Sequence, residues 1–209
     1  MDSRKDGIPW LVLLTGGIAS GKTFASDYLQ QKGAVVIDTD IISRAMTSRD
    51  NEAGRLALIE IKRHFGESLF ADNGDLDRSK MRRLIFSDTN AKKILEKILH
   101  GRILEEVKRQ ISLVDQSQYG VVVVPVIYAE SPYLDLCDEV LVIEVPYDLQ
   151  LQRLMARDNI SEEMAIKMID SQISRLDRRK LGDRIIVNQN KTFVERQLDK
   201  LHDSYSKLQ

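Results

Sequence analysis

The run Gly16-Gly17-Ile18-Ala19-Ser20-Gly21-Lys22-Thr23 constrains this chain more than any other stretch. It satisfies G-x-x-x-x-G-K-S/T at every fixed position, with an apolar run, Trp10 to Leu14, directly before it. After it, Phe24, Ala25, Tyr28 and Leu29 recur at helical spacing and Gly33 supplies a stop. A glycine-rich turn between a buried strand and a helix suits an anion. Glycines let successive N–H groups converge on one phosphate, and the helix adds its positive end. Lys22 is placed to reach β- and γ-phosphates, and the Thr23 hydroxyl to help hold Mg²⁺.

The rest of the pattern is α/β. Ala34 to Ile37 reads as a second strand, so strand, helix and strand fall within about thirty residues, a βαβ unit with parallel strands. Residues 41–116 read as mostly helical and highly charged, with turn signals at 51–54 and 71–75 and the clearest helix at 95–111. Strands follow at 121–124, 139–145 and 183–188. Helices are expected at 147–157, at 161–181 capped by Ser161, and at 193–208. The expected organisation is one P-loop domain: a core of about 1–44 and 117–209, with helices over about 147–182 in its second part, and a helical insertion of about 45–116.

Composition removes several alternatives. There are 31 basic and 32 acidic side chains, a net charge of −1, so no overall basic excess exists to bind nucleic acid. The single cysteine, Cys137, forms no internal disulfide and reads as a buried small hydrophobe in a reducing compartment. No apolar run approaches the roughly 18 residues of a membrane span. Ile8 to Leu14 behind Arg4 and Lys5 is short for a signal peptide and leads into the glycine turn, so a buried strand and a soluble, cytosolic protein are expected. Among nucleotide proteins, a GTPase would show N-K-x-D, and Asn190-Lys191-Thr192-Phe193 has Phe at the last position. The strand at 121–124 ends in Pro125, not in the magnesium-binding aspartate of motor ATPases. A small-molecule kinase remains.

Asp38 and Asp40 are expected at the C-terminal end of the second strand, where open α/β sheets place ligands. A carboxylate there suits proton abstraction from an attacking hydroxyl; equally, it suits a helix cap paired with Arg44. Arg153 and Arg157, four residues apart, share one helix face, either as a solvated basic stripe or as a phosphate-binding lid.

Taken in order, Leu14 to Lys22, then Val36-Ile37-Asp38-Thr39-Asp40 with Arg44, resemble dephospho-CoA kinase. The likeness continues through Phe65-Gly66, Gly74 to Arg78, Phe86, Ile98-Leu99-His100, Val124-Pro125, Gln150, Arg153, Arg157, Ser161, Gln172, Arg178, Asp183 and Asn188. The resemblance implies a P-loop NTPase fold, a parallel sheet flanked by helices with a helical substrate-binding insertion and a helical lid. It implies transfer from ATP, with Mg²⁺, to the ribose 3′-hydroxyl of dephospho-CoA, the last step of coenzyme A synthesis. Asp40, Lys22 and Arg153 would then be catalytic. ATP would be held by Gly17, Ile18, Ala19, Ser20, Gly21, Lys22, Thr23, Phe24, Arg153 and Arg157, with Thr23 also toward the metal. Thr15, Asp40, Arg44 and His100 would serve the substrate, and Arg178 a phosphate, while Arg175, Arg179 and Lys180 are expected to face water.

Four departures stand out. Ala19 replaces the family's usual Gly, which fits if its φ is negative. Phe24 replaces Thr, Gly101 replaces the proline after His100, and the run Pro125 to Ala129 puts Glu130 one place late. That displaced carboxylate keeps two alternatives open: a kinase of another small hydroxyl or nucleotide, and a nucleotide-dependent binding protein without efficient transfer.

Overall fold

The computed structural model describes residues 9–208, so the reading of Arg4 and Lys5 lies outside the described residues. The chain divides into two compact units, Met1–Asp38 with Gln110–Gln209, and Thr39–Arg109.

The first unit is built on a five-stranded, all-parallel sheet: β1 (Leu11–Gly16), β2 (Val35–Asp38), β3 (Gly120–Val123), β4 (Glu139–Glu144) and β5 (Arg184–Val187), in the spatial order β2-β3-β1-β4-β5. β1 is buried at every position, as a central parallel strand covered on both faces must be. One face packs Val12, Leu14, Val121, Val123, Leu141 and Ile143 against α1 (Lys22–Gln31) and α9 (Lys191–Tyr205) through Ala25, Leu29, Val194 and Leu198. From β1 the chain passes over β3 to β2, then returns through β3 and crosses β1 to reach β4. The direction of winding therefore reverses at β1, which places the loop after β1 where such sheets bind ligands.

The second half supplies three more helices, α6 (Tyr147–Asp158), α7 (Glu162–Asp170) and α8 (Arg175–Lys180). Ser161 caps α7 as expected, accepting from the Met164 N–H. The single helix expected over 161–181 is two. It breaks at 171–174, where Ser174 accepts from the Asp177 N–H and starts α8 afresh. Cys137 precedes β4, and burial pushes its thiol up to about 12.

The second unit holds α2 (Thr39–Ala45), α3 (Glu52–Phe65), α4 (Arg78–Ser87) and most of α5 (Thr89–Ile111). Ala57, Leu58, Ile61, Leu69, Leu76, Met81 and Ile98 form its core. Its helices carry side-chain caps: Asn51 accepts from Gly54 N–H, and Asp77 from the N–H groups of Ser79 and Lys80. α5 starts at Thr89, ahead of the expected Leu95, because Asp88 accepts from the Asn90 and Ala91 N–H groups upstream of the first apolar repeat. β2 ends at Asp38, so Asp40 lies in the first turn of α2 and not at a strand end. Among the described residues no helix is long and apolar enough to cross a membrane.

Candidate active site

Gly16, the last residue of β1, pairs with Ile143 of β4. A Cβ at Gly16 would run into the Ile143 carbonyl and the Ser20 Oγ, so this glycine is required by close approach. Gly21 is required twice: its φ is +98°, and a Cβ there would strike the Asn188 side-chain amide. That amide donates to the Ser20 carbonyl at 2.8 Å. The Lys22 ammonium donates to the carbonyls of Gly16 at 2.7 Å and Gly17 at 3.0 Å, which anchors its charge over the loop. Thr23 is exposed in the first turn of α1, and Phe24 is half-buried against Tyr28, with the Lys191 ammonium 5.5 Å from its ring centre. Thr15 Oγ1 and Ser20 Oγ are buried and make no hydrogen bond among the described residues.

Ala19 corrects an expectation. Its φ is +55°, in the left-handed region. The loop must reverse there, and the methyl group makes that conformation cost about 1–2 kcal/mol. The surroundings hold the strain. Ile18 N–H donates to Gln172 Oε1, and Gln150 Nε2 donates to the Ile18 carbonyl, both at 2.8 Å.

Behind Gly17 lies a buried charge cluster. Glu144, 1 % exposed at the end of β4, accepts from Arg178 Nε at 2.9 Å and Arg175 Nε at 2.8 Å. Arg175, expected to face water, is thus tied to a buried carboxylate. Arg178 also donates to the Ile173 carbonyl, and its guanidinium stands 3.1 Å from where a Gly17 Cβ would be. Tyr147, Gln150, Gln172, Ser174, Arg175 and Arg178 line a cavity of about 430 Å³. Arg153 Nη1 donates to the Asn188 carbonyl at 3.4 Å. Arg157 is exposed and forks onto Asp158 at 2.7 and 2.8 Å, which holds the Asp158 carboxyl below the usual carboxylate range.

The first unit therefore gathers Thr15, the loop, Arg153 and Arg178. Gln150, Gln172 and Asn188 join them; in the sequence these three carried family spacing but no signal of their task. Ala129 and Glu130 are both exposed in the turn after β3. Phe24 and Arg157 also belong to the first unit, whereas Asp40, Arg44 and His100 belong to the second. Asp40 is exposed in the first turn of α2 and Arg44 in its last, where the Arg44 carbonyl accepts from Arg78. His100 is exposed on α5. That unit has its own groove of about 560 Å³, lined by Ala53, Leu56, Lys97, Gly101, Arg102 and Glu105 among others.

A family model for dephospho-CoA kinase matches residues 10–193. A relative named dephospho-CoA kinase from Nitrosomonas europaea is 42% identical over 95% of this chain and 96% of its own. Another so named, from Aromatoleum aromaticum, is 39% identical over 94% of each. The solved structure of dephospho-CoA kinase from Campylobacter jejuni superposes with a TM-score of 0.72 at 28% identity, covering 94% of this chain and 97% of that one. A glycine loop at the reversal point of a parallel sheet is common to many nucleotide enzymes, but agreement along nearly the whole length, insertion included, is not, and by that agreement the chain belongs to the dephospho-CoA kinase family.

Proposed function

We propose that the protein transfers the γ-phosphoryl group of ATP to the ribose 3′-hydroxyl of dephospho-CoA, giving coenzyme A and ADP, in the cytoplasm. One observation carries the reading: the Gly16–Thr23 loop, with Lys22 anchored over it, in a chain that matches the family model across residues 10–193. The loop amides take the phosphates. Lys22 moves from the loop carbonyls to the β/γ-oxygens and stabilises charge as the γ-phosphoryl leaves. Asp40 orients the 3′-hydroxyl and accepts its proton; the oxygen forms the new P–O bond while the bond to the β-phosphate oxygen breaks. Arg153 and Arg157 spread the charge and exclude water. Thr15, Arg44 and His100 contact the acceptor, and Phe24 borders the nucleotide.

Mg²⁺ fits the donor set in a limited way. Among the described residues no group of three or more His, Cys, Asp or Glu side chains is placed to hold a metal, so the Thr23 hydroxyl would be the protein oxygen and the ATP phosphates the main ligands. Bound there, the ion would neutralise phosphate charge.

Incubating the protein with dephospho-CoA, ATP and Mg²⁺ and mapping the product by mass spectrometry tests the whole reading. One phosphoryl group gained on the ribose 3′-oxygen is expected. ATP bound without that product would turn attention to the Ala129-Glu130 turn and to other acceptors.

A further inference from the structure

One loop residue is gripped at both of its backbone polar groups. Gln172, between α7 and α8, accepts from the Ile18 N–H; Gln150, in the second turn of α6, donates to the Ile18 carbonyl. Gln150 is 7% exposed, and its amide nitrogen lies 2.8 Å from where a Gly17 Cβ would be, so its position is itself fixed by packing. We propose that Gln150 and Gln172 are positioning residues for the β- and γ-phosphates, acting through the two peptides that flank Ile18: Gln172 on the one from Gly17 and Gln150 on the one to Ala19. The inference rests on the reading of the loop as the ATP site.

The geometry runs through one amide. The Ile18–Ala19 peptide is trans, so the Ala19 N–H points opposite to the Ile18 carbonyl that Gln150 holds. Among the neighbouring donors, Ile18 N–H is committed to Gln172 and Ser20 N–H donates to the Gly17 carbonyl at 3.2 Å. The Ala19 N–H donates to no acceptor among the described residues. It is a donor left for a phosphate oxygen. Its direction depends on Ala19 keeping φ at +55°, a conformation an alanine holds only when its surroundings over-determine it. Without the two glutamines Ala19 relaxes toward negative φ and the peptide plane turns with it. Because Gln150 shares α6 with Arg153 and Arg157, the helix that carries the lid arginines also sets the loop.

Calorimetric titration of the full chain with MgATP and with AMP separates this role from a general structural one, because AMP lacks the β- and γ-phosphates. Gln150→Met is expected to weaken MgATP binding about tenfold and AMP binding by less than about twofold, the loss of one oriented hydrogen bond. Gln172→Met should show the same selectivity at about threefold. Adding Ala19→Gly to Gln150→Met should restore most of the MgATP affinity, since glycine adopts positive φ without steric cost. Equal weakening of MgATP and AMP overturns the inference, as does failure of Ala19→Gly to rescue. Should Gln150→Met fail to fold, Gln172→Met, with and without Ala19→Gly, carries the same comparison. If the unaltered protein binds MgATP no better than AMP, the loop reading itself fails, whatever the variants do.

Discussion

The two units use buried polar groups in opposite ways. In the sheet unit Thr15, Ser20, Ser26, Glu144, Gln150, Arg178 and Asn188 are buried, and all but Ser26, which bonds back within α1, lie in the phosphate loop or in the shell around it. In the Thr39–Arg109 unit the described buried side chains are apolar except Thr39. Its polar work is done at the surface by helix caps and by pairs such as Arg102 with Glu60. Buried polar groups are costly unless partnered, and a partner fixes geometry. A loop that must aim several N–H groups at one anion needs that fixing. A helical unit with no such loop to aim can rest on apolar packing and exposed caps.

The sharpest way to break the comparison is at Lys22. Lys22→Met should lower kcat by about 10³-fold, because the proposed mechanism sets its charge on the transferring phosphoryl group. A loss below tenfold would remove it from the mechanism. Next comes the buried cluster. Glu144→Gln strips the counter-charge from Arg175 and Arg178 and should cost about 3 kcal/mol in urea unfolding, with weaker ATP binding. A change under about 1 kcal/mol would mean that the cluster behaves like a surface pair. In the other unit, Ile61→Val trims a fully buried side chain and should cost about 1 kcal/mol. ATP affinity should stay the same; any fall in it would show that the loop depends on the insertion's core.

The smallest effect concerns pH. The backbone N–H of Lys80, then that of Ser79, holds the partly exposed Asp77 carboxyl below its ordinary value. A group depressed in the folded state adds stability above its unfolded pKa and loses it as pH falls through the folded one. The capping contribution should therefore fade below about pH 4. Asp77→Asn, which can still cap, should flatten the melting-temperature profile in that window. A profile as steep as the parent's would sink the assignment.

Much of the fold was legible because its signals are local. The apolar run before Gly16, the βαβ spacing and the Ser161 cap each follow from side chains close in sequence. The helix break at 171–174 was not legible, since Ser174 competes with an otherwise continuous helical pattern and wins through one hydrogen bond. Asp40 was misplaced by two residues, an ordinary error where a strand passes directly into a helix. At the site, the loop could be read from its motif and Arg178 from family spacing. The tasks of Gln150, Gln172 and Glu144 could not. Their contacts span more than a hundred residues in the glutamines' case, and an isolated glutamine carries no spacing rule. The positive φ of Ala19 was hidden for a related reason, because only the tertiary grip makes an alanine adopt it.

Gly17 leaves a trace beyond this one molecule. The general P-loop pattern lets any residue occupy that position, yet here the Gln150 amide and the Arg178 guanidinium both stand where a side chain would begin. Positions 17, 150 and 178 are therefore expected to change together among homologues. A chain with a larger residue at the first should carry shorter or differently directed ones at the other two, and an alignment that scores the three columns jointly should separate loops braced in this way from those that are not.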